Sequence, residues 1–312
     1  MSKDQLLTAV IEFCKEHKMA ESTFGRKAVN DGKFVSRLRT GARVTPETFE
    51  KVKNLQFLLQ VGFHSLDFGS FVSTRAVPQL RDTADVLNQL DLSDTKTNLL
   101  AIVANLRGAE TALNFEQIQY IGFPFSISEN FRMRNTHKTI LESQNILEKI
   151  KELTVKLNKT LVVYLSMGFG NPYGDPWSVN VVLQWVERLA QMEIEIISLS
   201  DTIGKAVPLD ISNLFSLLIP AFPAIEFGAH FHTHPDRGYE KISAAFDSGC
   251  RRFDGAILGI GGCPMASNSL VGNFPTEKLL TFFSSRDIKT GINITAFESS
   301  INKSRDLFSS YY

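Results

Sequence analysis

The sequence predicts a mixed α/β chain: a (β/α)8 TIM-type barrel that lacks its first strand, joined to a small all-α head. Three observations carry this. From residue 61 onward apolar runs alternate with helix-period segments in units of about 30 residues over some 250 residues, the rhythm of a barrel rather than of an open sheet. The runs, at 63–68, 98–104, 120–126, 160–167, 195–200, 225–232 and 251–258, number seven, one short of closure. Residues before 54 carry helical signals, with Arg43-Val44-Thr45 as a candidate stub strand.

The head, 1–53, opens with a helix over 5–14 that spaces Leu6, Leu7, Val10, Ile11 and Cys14 on one face. Glu21-Ser22-Thr23 starts a second, with Phe24, Ala28 and Val29 inward. Asn30-Asp31-Gly32 is a turn, and Lys33 to Gly41 reads as a short basic helix stopped by glycine. Thr45-Pro46-Glu47 opens a fourth helix, Thr as cap and Pro in the first helical position. The barrel domain, 54–312, adds helical patterns at 137–157, 178–192, 208–219 and 239–248. Strands apolar on both faces imply a parallel sheet covered by those helices.

Composition sets the class. Of 312 residues, 43 % are hydrophobic and 21 % charged, enough apolar side chain for a sizeable core and too much for disorder. No run of about 18 apolar residues occurs, so no membrane partner is expected. The start lacks the basic-then-apolar profile of a secretion signal, and three cysteines make no disulfide framework, which together predict a reducing cytoplasm. The net charge of zero hides an asymmetry: residues 1–53 hold 11 Lys and Arg against 7 Asp and Glu. A basic head on an acidic body points the head toward an acidic partner such as nucleic acid.

Chemistry concentrates in four segments. In His230-Phe231-His232-Thr233-His234, positions 230 and 232 of a strand face one side, so both imidazoles can meet one cation at the C-terminal mouth of a barrel, or bond to neighbouring carbonyls. Gly261-Gly262-Cys263 lets backbone approach a ligand and puts a thiol on a loop, as acid, nucleophile or inert buried sulfur. Asn273 follows with an amide oxygen suited to a hard cation. Asp201 and Asp67 stand at strand ends, where barrel enzymes keep their reacting groups; Asp201 could equally cap a helix.

Taken with Gly69-Ser70-Phe71-Val72-Ser73, Ala104-Asn105-Leu106-Arg107-Gly108, Asn171-Pro172-Tyr173-Gly174, Asp201-Thr202-Ile203-Gly204 and Gly261-Gly262-Cys263-Pro264 through Gly272-Asn273, the His230-Phe231-His232 segment resembles the 3-hydroxy-3-methylglutaryl-coenzyme A lyase family over residues 50–295. The resemblance implies a divalent cation, Mg²⁺ or Mn²⁺, held by His230, His232 and Asn273, with Gly261, Gly262 and Asn105 around an acyl-CoA substrate. It implies Cys263, Asp201, His230 and Asp67 as the catalytic set, Asp67 standing where the family has a glutamate, and a homodimer. The chemistry implied is retro-Claisen cleavage to acetyl-CoA and acetoacetate.

One departure stands out. Family members begin with a strand that ends in Arg-Asp, supplying a metal-binding carboxylate and an enolate-stabilising guanidinium. Here Arg-Asp occurs only at Arg81-Asp82, in the helix expected after the first strand, and at Arg286-Asp287 and Arg305-Asp306. An impaired lyase is therefore expected. In place of that strand, residues 1–53 resemble a repressor-type helix-turn-helix domain in which Lys33, Ser36, Arg37 and Arg39 would face DNA. The alternative function is a DNA-binding regulator whose barrel senses an acyl-CoA.

Overall fold

The fold is that of a computed structural model, which describes residues 3–29, 35, 46–234, 238–262 and 271–308. The chain divides into two compact units, Met1–Lys53 with Ala84–Asp91, and Asn54–Thr83 with Leu92–Tyr312.

In the smaller unit, α1 (Lys3–Glu16) and α2 (Glu21–Val29) are helices, and α3 (Pro46–Leu59) begins there with proline in its first turn. Val10, Cys14 and Val35 form its buried core, with Leu7 and Phe24 packed against them. The spacing of Leu7, Val10 and Cys14 puts all three on one face of α1, which is why so few residues suffice. The basic segment that was expected to meet DNA, with Lys33, Ser36, Arg37 and Arg39, lies outside the described residues.

The larger unit is built on seven parallel strands in the order β1-β2-β3-β4-β5-β6-β7. They are β1 (Ser65–Ser70), β2 (Asn98–Ile102), β3 (Ile118–Ser126), β4 (Thr160–Ser166), β5 (Ile196–Asp201), β6 (Glu226–Phe231) and β7 (Arg252–Asp254). In chain order the connections hold α4 (Thr83–Leu87), most of which belongs to the smaller unit, then α5 (Leu106–Leu113), α6 (Glu129–Thr136), α7 (Ile140–Lys156), α8 (Val179–Gln191), α9 (Pro208–Ala221) and α10 (Tyr239–Asp247), while α11 (Thr276–Ser285) and α12 (Ile294–Phe308) follow β7. The sheet is mixed with helices in a curled half-barrel of the TIM type. Among the described residues no strand joins β7 back to β1, so the seven-strand count from the sequence stands.

Strand alternation separates two faces. Ile121, Phe123 and Phe125 of β3, Val163 and Leu165 of β4, and Ile197 and Leu199 of β5 are fully buried. Each such side chain contributes about 1.5–3 kcal/mol by leaving water. Leu100, Val162 and Ile196 pack together on the other face, with Ile102, Tyr120 and Tyr164 around them. Several helices start with their own caps: Ser128 accepts from Phe131, Ser178 from Val181, and Thr139 and Glu142 form a capping box on α7. Among the described residues no helix is long and apolar enough to cross a membrane.

Three local expectations change. The 137–157 helix begins only at Ile140, because His137 takes a left-handed conformation (φ 53°) that ends the separate helix α6. The last apolar run forms strand only over Arg252–Asp254 before a 3-10 turn at Ile257–Gly259. Arg81-Asp82 lies in a turn ahead of α4 rather than in a helix, because Pro78–Leu80 winds as a 3-10 turn and α4 starts at Thr83.

Candidate functional site

The inward-facing residues toward the C-terminal ends of β4 to β7 are polar, unlike the strands that carry them. His230 on β6 pairs in register with Ser200 on β5 and with Asp254 on β7. Its Nδ1 lies 3.2 Å from Asp254 Oδ2, and Ser198 Oγ donates to the same oxygen at 2.8 Å. Tyr164 of β4 meets the His230 ring edge-on at 5.2 Å between centroids. Burial pushes Asp254 up, but the hydrogen bond and charge of His230, the Arg252 guanidinium and the Ser198 hydroxyl outweigh it and hold the carboxyl below its usual range. Burial, then the nearby Asp254 and Asp67 carboxylates, raise Tyr164 well above an ordinary phenol, so it stays neutral.

His232 follows one step beyond β6. Residues 272–274 run antiparallel to it: Thr233 N donates to Gly272 O, Phe274 N to Phe231 O, and His232 bridges to Asn273. The His230 and His232 rings are 5.5 Å apart between centroids. Asn273 Nδ2 donates to Ile260 O at 2.8 Å, which leaves its amide oxygen as acceptor. Gly261 makes this possible: its φ is +102° and an added Cβ would stand 2.6 Å from Asn273 Nδ2. So the sequence-predicted trio His230, His232 and Asn273 is brought together.

Whether that trio fits a cation turns on charge and on open lone pairs. His232 is buried, and its Nδ1 has no hydrogen-bond partner. Burial above all, and then the charges of His230 and Lys241, lower its pKa to about 4, so it is a neutral ligand-type imidazole at physiological pH. Two imidazoles and an amide oxygen fit a borderline divalent ion. They fit a hard ion less well, for no group of three or more His, Cys, Asp or Glu able to hold a metal occurs among the described residues.

Asp201 ends β5 with every part of its carboxylate engaged. Oδ1 accepts from Lys205 N at 2.8 Å, Oδ2 from Ala206 N at 3.0 Å and from Lys241 Nζ at 2.7 Å. It thereby ties the 201–206 loop to α10. Asp67 lies within β1 rather than at its end, because the strand continues through a register shift to Ser70. Its side chain opens into a cavity of about 900 Å³ that also reaches Tyr164, His230, Arg252, Asp254 and Asn273. Protein on the remaining sides raises its pKa to about 7, opposed by the Gly69 backbone N–H and by His230. Asn105 caps α5, its Oδ1 accepting from Gly108 N at 2.8 Å. Gly262 is described beside Gly261, both with positive φ; Cys263 lies outside the described residues.

Sequence reasoning missed Asp254, Ser198, Tyr164 and Lys241. A signal existed for the first: after Arg251, the run 251–258 carries Arg252 and Asp254 at alternate positions, hence on one strand face. Lys241 carried none, since a helical lysine is ordinarily solvated.

The chain is similar to known proteins over most of its length. A family model described as HMGL-like matches residues 34–302. The chain is 33 % identical over 247 residues to hydroxymethylglutaryl-CoA lyase YngG of Bacillus subtilis, covering 79 % of this chain and 82 % of that protein. It is 29 % identical to (R)-citramalyl-CoA lyase of Chloroflexus aurantiacus over 274 residues, covering 83 % and 84 %. The structure of an HMG-CoA lyase from Acinetobacter baumannii in complex with coenzyme A and 3-methylmalate superposes with TM-score 0.77 at 28 % identity, over 84 % of this chain and 85 % of that one.

Proposed function

The chain belongs to the HMGL-like family of lyase-like enzymes, and from that premise we propose that it is a divalent-metal-dependent carbon–carbon lyase cleaving 3-hydroxy-3-methylglutaryl-CoA to acetyl-CoA and acetoacetate. The observation that carries the reading is the convergence of His230, His232 and Asn273 at the mouth of a half-barrel. The A. baumannii relative that binds coenzyme A supports an acyl-CoA substrate.

In this reading His230, His232 and Asn273 would hold the cation, which would supply Lewis-acid polarisation of the substrate. An imidazole that holds the cation has no second lone pair to spare, so Asp67, which lines the same cavity as His230, takes the hydroxyl proton. The electron pair left on oxygen forms the ketone of acetoacetate as the C2–C3 bond breaks, and the departing pair becomes the acetyl-CoA enolate. Cys263 returns a proton to the enolate carbon. Asp201, with its oxygens committed to Lys241 and two backbone N–H groups, holds the loop and does not move protons. Asp67 faces the same cavity and serves as the second carboxyl group of the site.

The Arg-Asp pair on a first strand is missing, and an oxyanion-type donor is commonly worth about 10²–10³ in rate, so turnover is slow. A coupled assay for acetoacetate with added Mn²⁺ tests the reading. Product formation that falls sharply in Cys263→Ala while substrate binding holds supports it; no product despite bound substrate overturns it.

The basic charge of residues 1–53 favours a second reading, a DNA-binding regulator with an acyl-CoA-sensing barrel. Salt-dependent retention of the full chain on duplex DNA supports it, and absence of retention at low salt removes it.

A further inference from the structure

We propose that Asp254 is the positioning residue of the site: clamped by Ser198 across the bare backbone of Gly228, it fixes His230 with the proton on Nδ1 and the lone pair of Nε2 presented to the cavity. The proposal deepens the lyase reading and rests on it, since the Nε2 lone pair of His230 is a cation ligand there.

Three adjacent strands build the arrangement. Ser198 sits on β5, His230 on β6 and Asp254 on β7, and all face the same side because the register aligns Ser198 with Gly228 and His230 with Asp254. Ser198 and Asp254 are thus separated by a whole strand, yet their side chains meet at 2.8 Å. They do so because residue 228 has no side chain: a Cβ there would stand 2.7 Å from Ser198 Oγ and 3.0 Å from Arg252 Cδ. Gly228 has no positive φ, so space rather than backbone freedom explains the glycine.

The carboxylate then dictates the tautomer. Asp254 Oδ2 accepts from Ser198 and stands 3.2 Å from His230 Nδ1. An ionised carboxylate can only accept, so Nδ1 carries the hydrogen and Nε2 is left as a base or ligand. Neutral histidine free in water prefers the opposite tautomer, with hydrogen on Nε2. The ring is also held by Tyr164 on its edge, so both its protonation pattern and its plane are set by groups that do not themselves react.

The test is the ring-nitrogen NMR spectrum of the metal-free full chain labelled with ¹⁵N-histidine, at mildly alkaline pH, with His230 assigned by its loss in His230→Gln. The expected result is a dominant Nδ1–H form for His230, retained in Asp254→Asn, whose amide oxygen still accepts, and reversed to Nε2–H in Asp254→Ala. Gly228→Ala should shift it part-way by severing the Ser198 bond. Should Asp254→Ala fail to unfold cooperatively, Ser198→Ala gives the same part-way shift. A wild-type Nε2–H form, or Nδ1–H surviving in Asp254→Ala, overturns the proposal. On the enzyme, Asp254→Ala should lower kcat by about 10–100-fold with KM nearly unchanged. If no substrate is cleaved by any variant, the lyase reading fails while the NMR outcome still decides the role of Asp254.

Discussion

Lys241 Nζ lies 2.7 Å from Asp201 Oδ2 with both side chains sealed from solvent, 7 % and 1 % exposed, and it donates a second bond to Gly204 O at 2.9 Å. Removing one member of such a pair leaves the other charged and buried, which commonly costs about 3–5 kcal/mol. Lys241→Met should lose about that much in urea unfolding. The double variant Lys241→Met/Asp201→Asn should recover part of it, because no lone charge remains. A single variant as stable as the wild type would mean that water reaches the pair.

His232 gives the metal-free protein a defined acid sensitivity. Its folded pKa of about 4 lies below the ordinary value of 6.5, so the unfolded chain binds its proton more readily than the folded one. The stability attached to neutral His232 is complete above the unfolded value and drains away as pH falls from there toward the folded one. The span corresponds to about 3 kcal/mol. Urea midpoints of the metal-free chain should therefore drop more steeply between neutral pH and pH of about 5 in the wild type than in His232→Gln; parallel curves would reject the assignment.

Metal preference follows from the donor set. If His230, His232 and Asn273 hold the cation as proposed, the set contains no carboxylate, and nothing in it offsets the desolvation of a small hard dication. Titration calorimetry should find Zn²⁺, Co²⁺ or Mn²⁺ bound more tightly than Mg²⁺. Gly261→Ala should weaken that binding, because its Cβ would displace the Asn273 amide. Tight Mg²⁺ binding would mean a carboxylate joins the set, Asp67 being the first to substitute.

Cys250 is fully buried, its thiol within 3.1 Å of Arg252 O and pushed up to about 12 by burial. It should resist thiol-specific labelling in the native state and react only on unfolding. Stoichiometric counting of native thiols in Cys250→Ser against the wild type should show no difference; a lost reactive thiol would contradict the burial.

The order of elements, the seven strands and the shared face of His230 and His232 were legible in the sequence, because each rests on a local rule. Apolar runs of strand length separated by helical periods identify a parallel sheet, and His230 and His232 share a strand face whatever lies around them. Even Gly261 and Asn273 announced a tight approach and an amide acceptor by their own chemistry. Three-dimensional placement decided the rest. No local pattern says that Ser198 reaches Asp254 over a missing side chain at Gly228, since the two are brought together only by the register of three strands. Nor does any say that Lys241, 40 residues along the chain, turns inward to meet the carboxylate of Asp201. Hydrophobic periodicity specifies which face of an element is buried; which polar groups then meet depends on distances between elements, and those exist only once the barrel has curled.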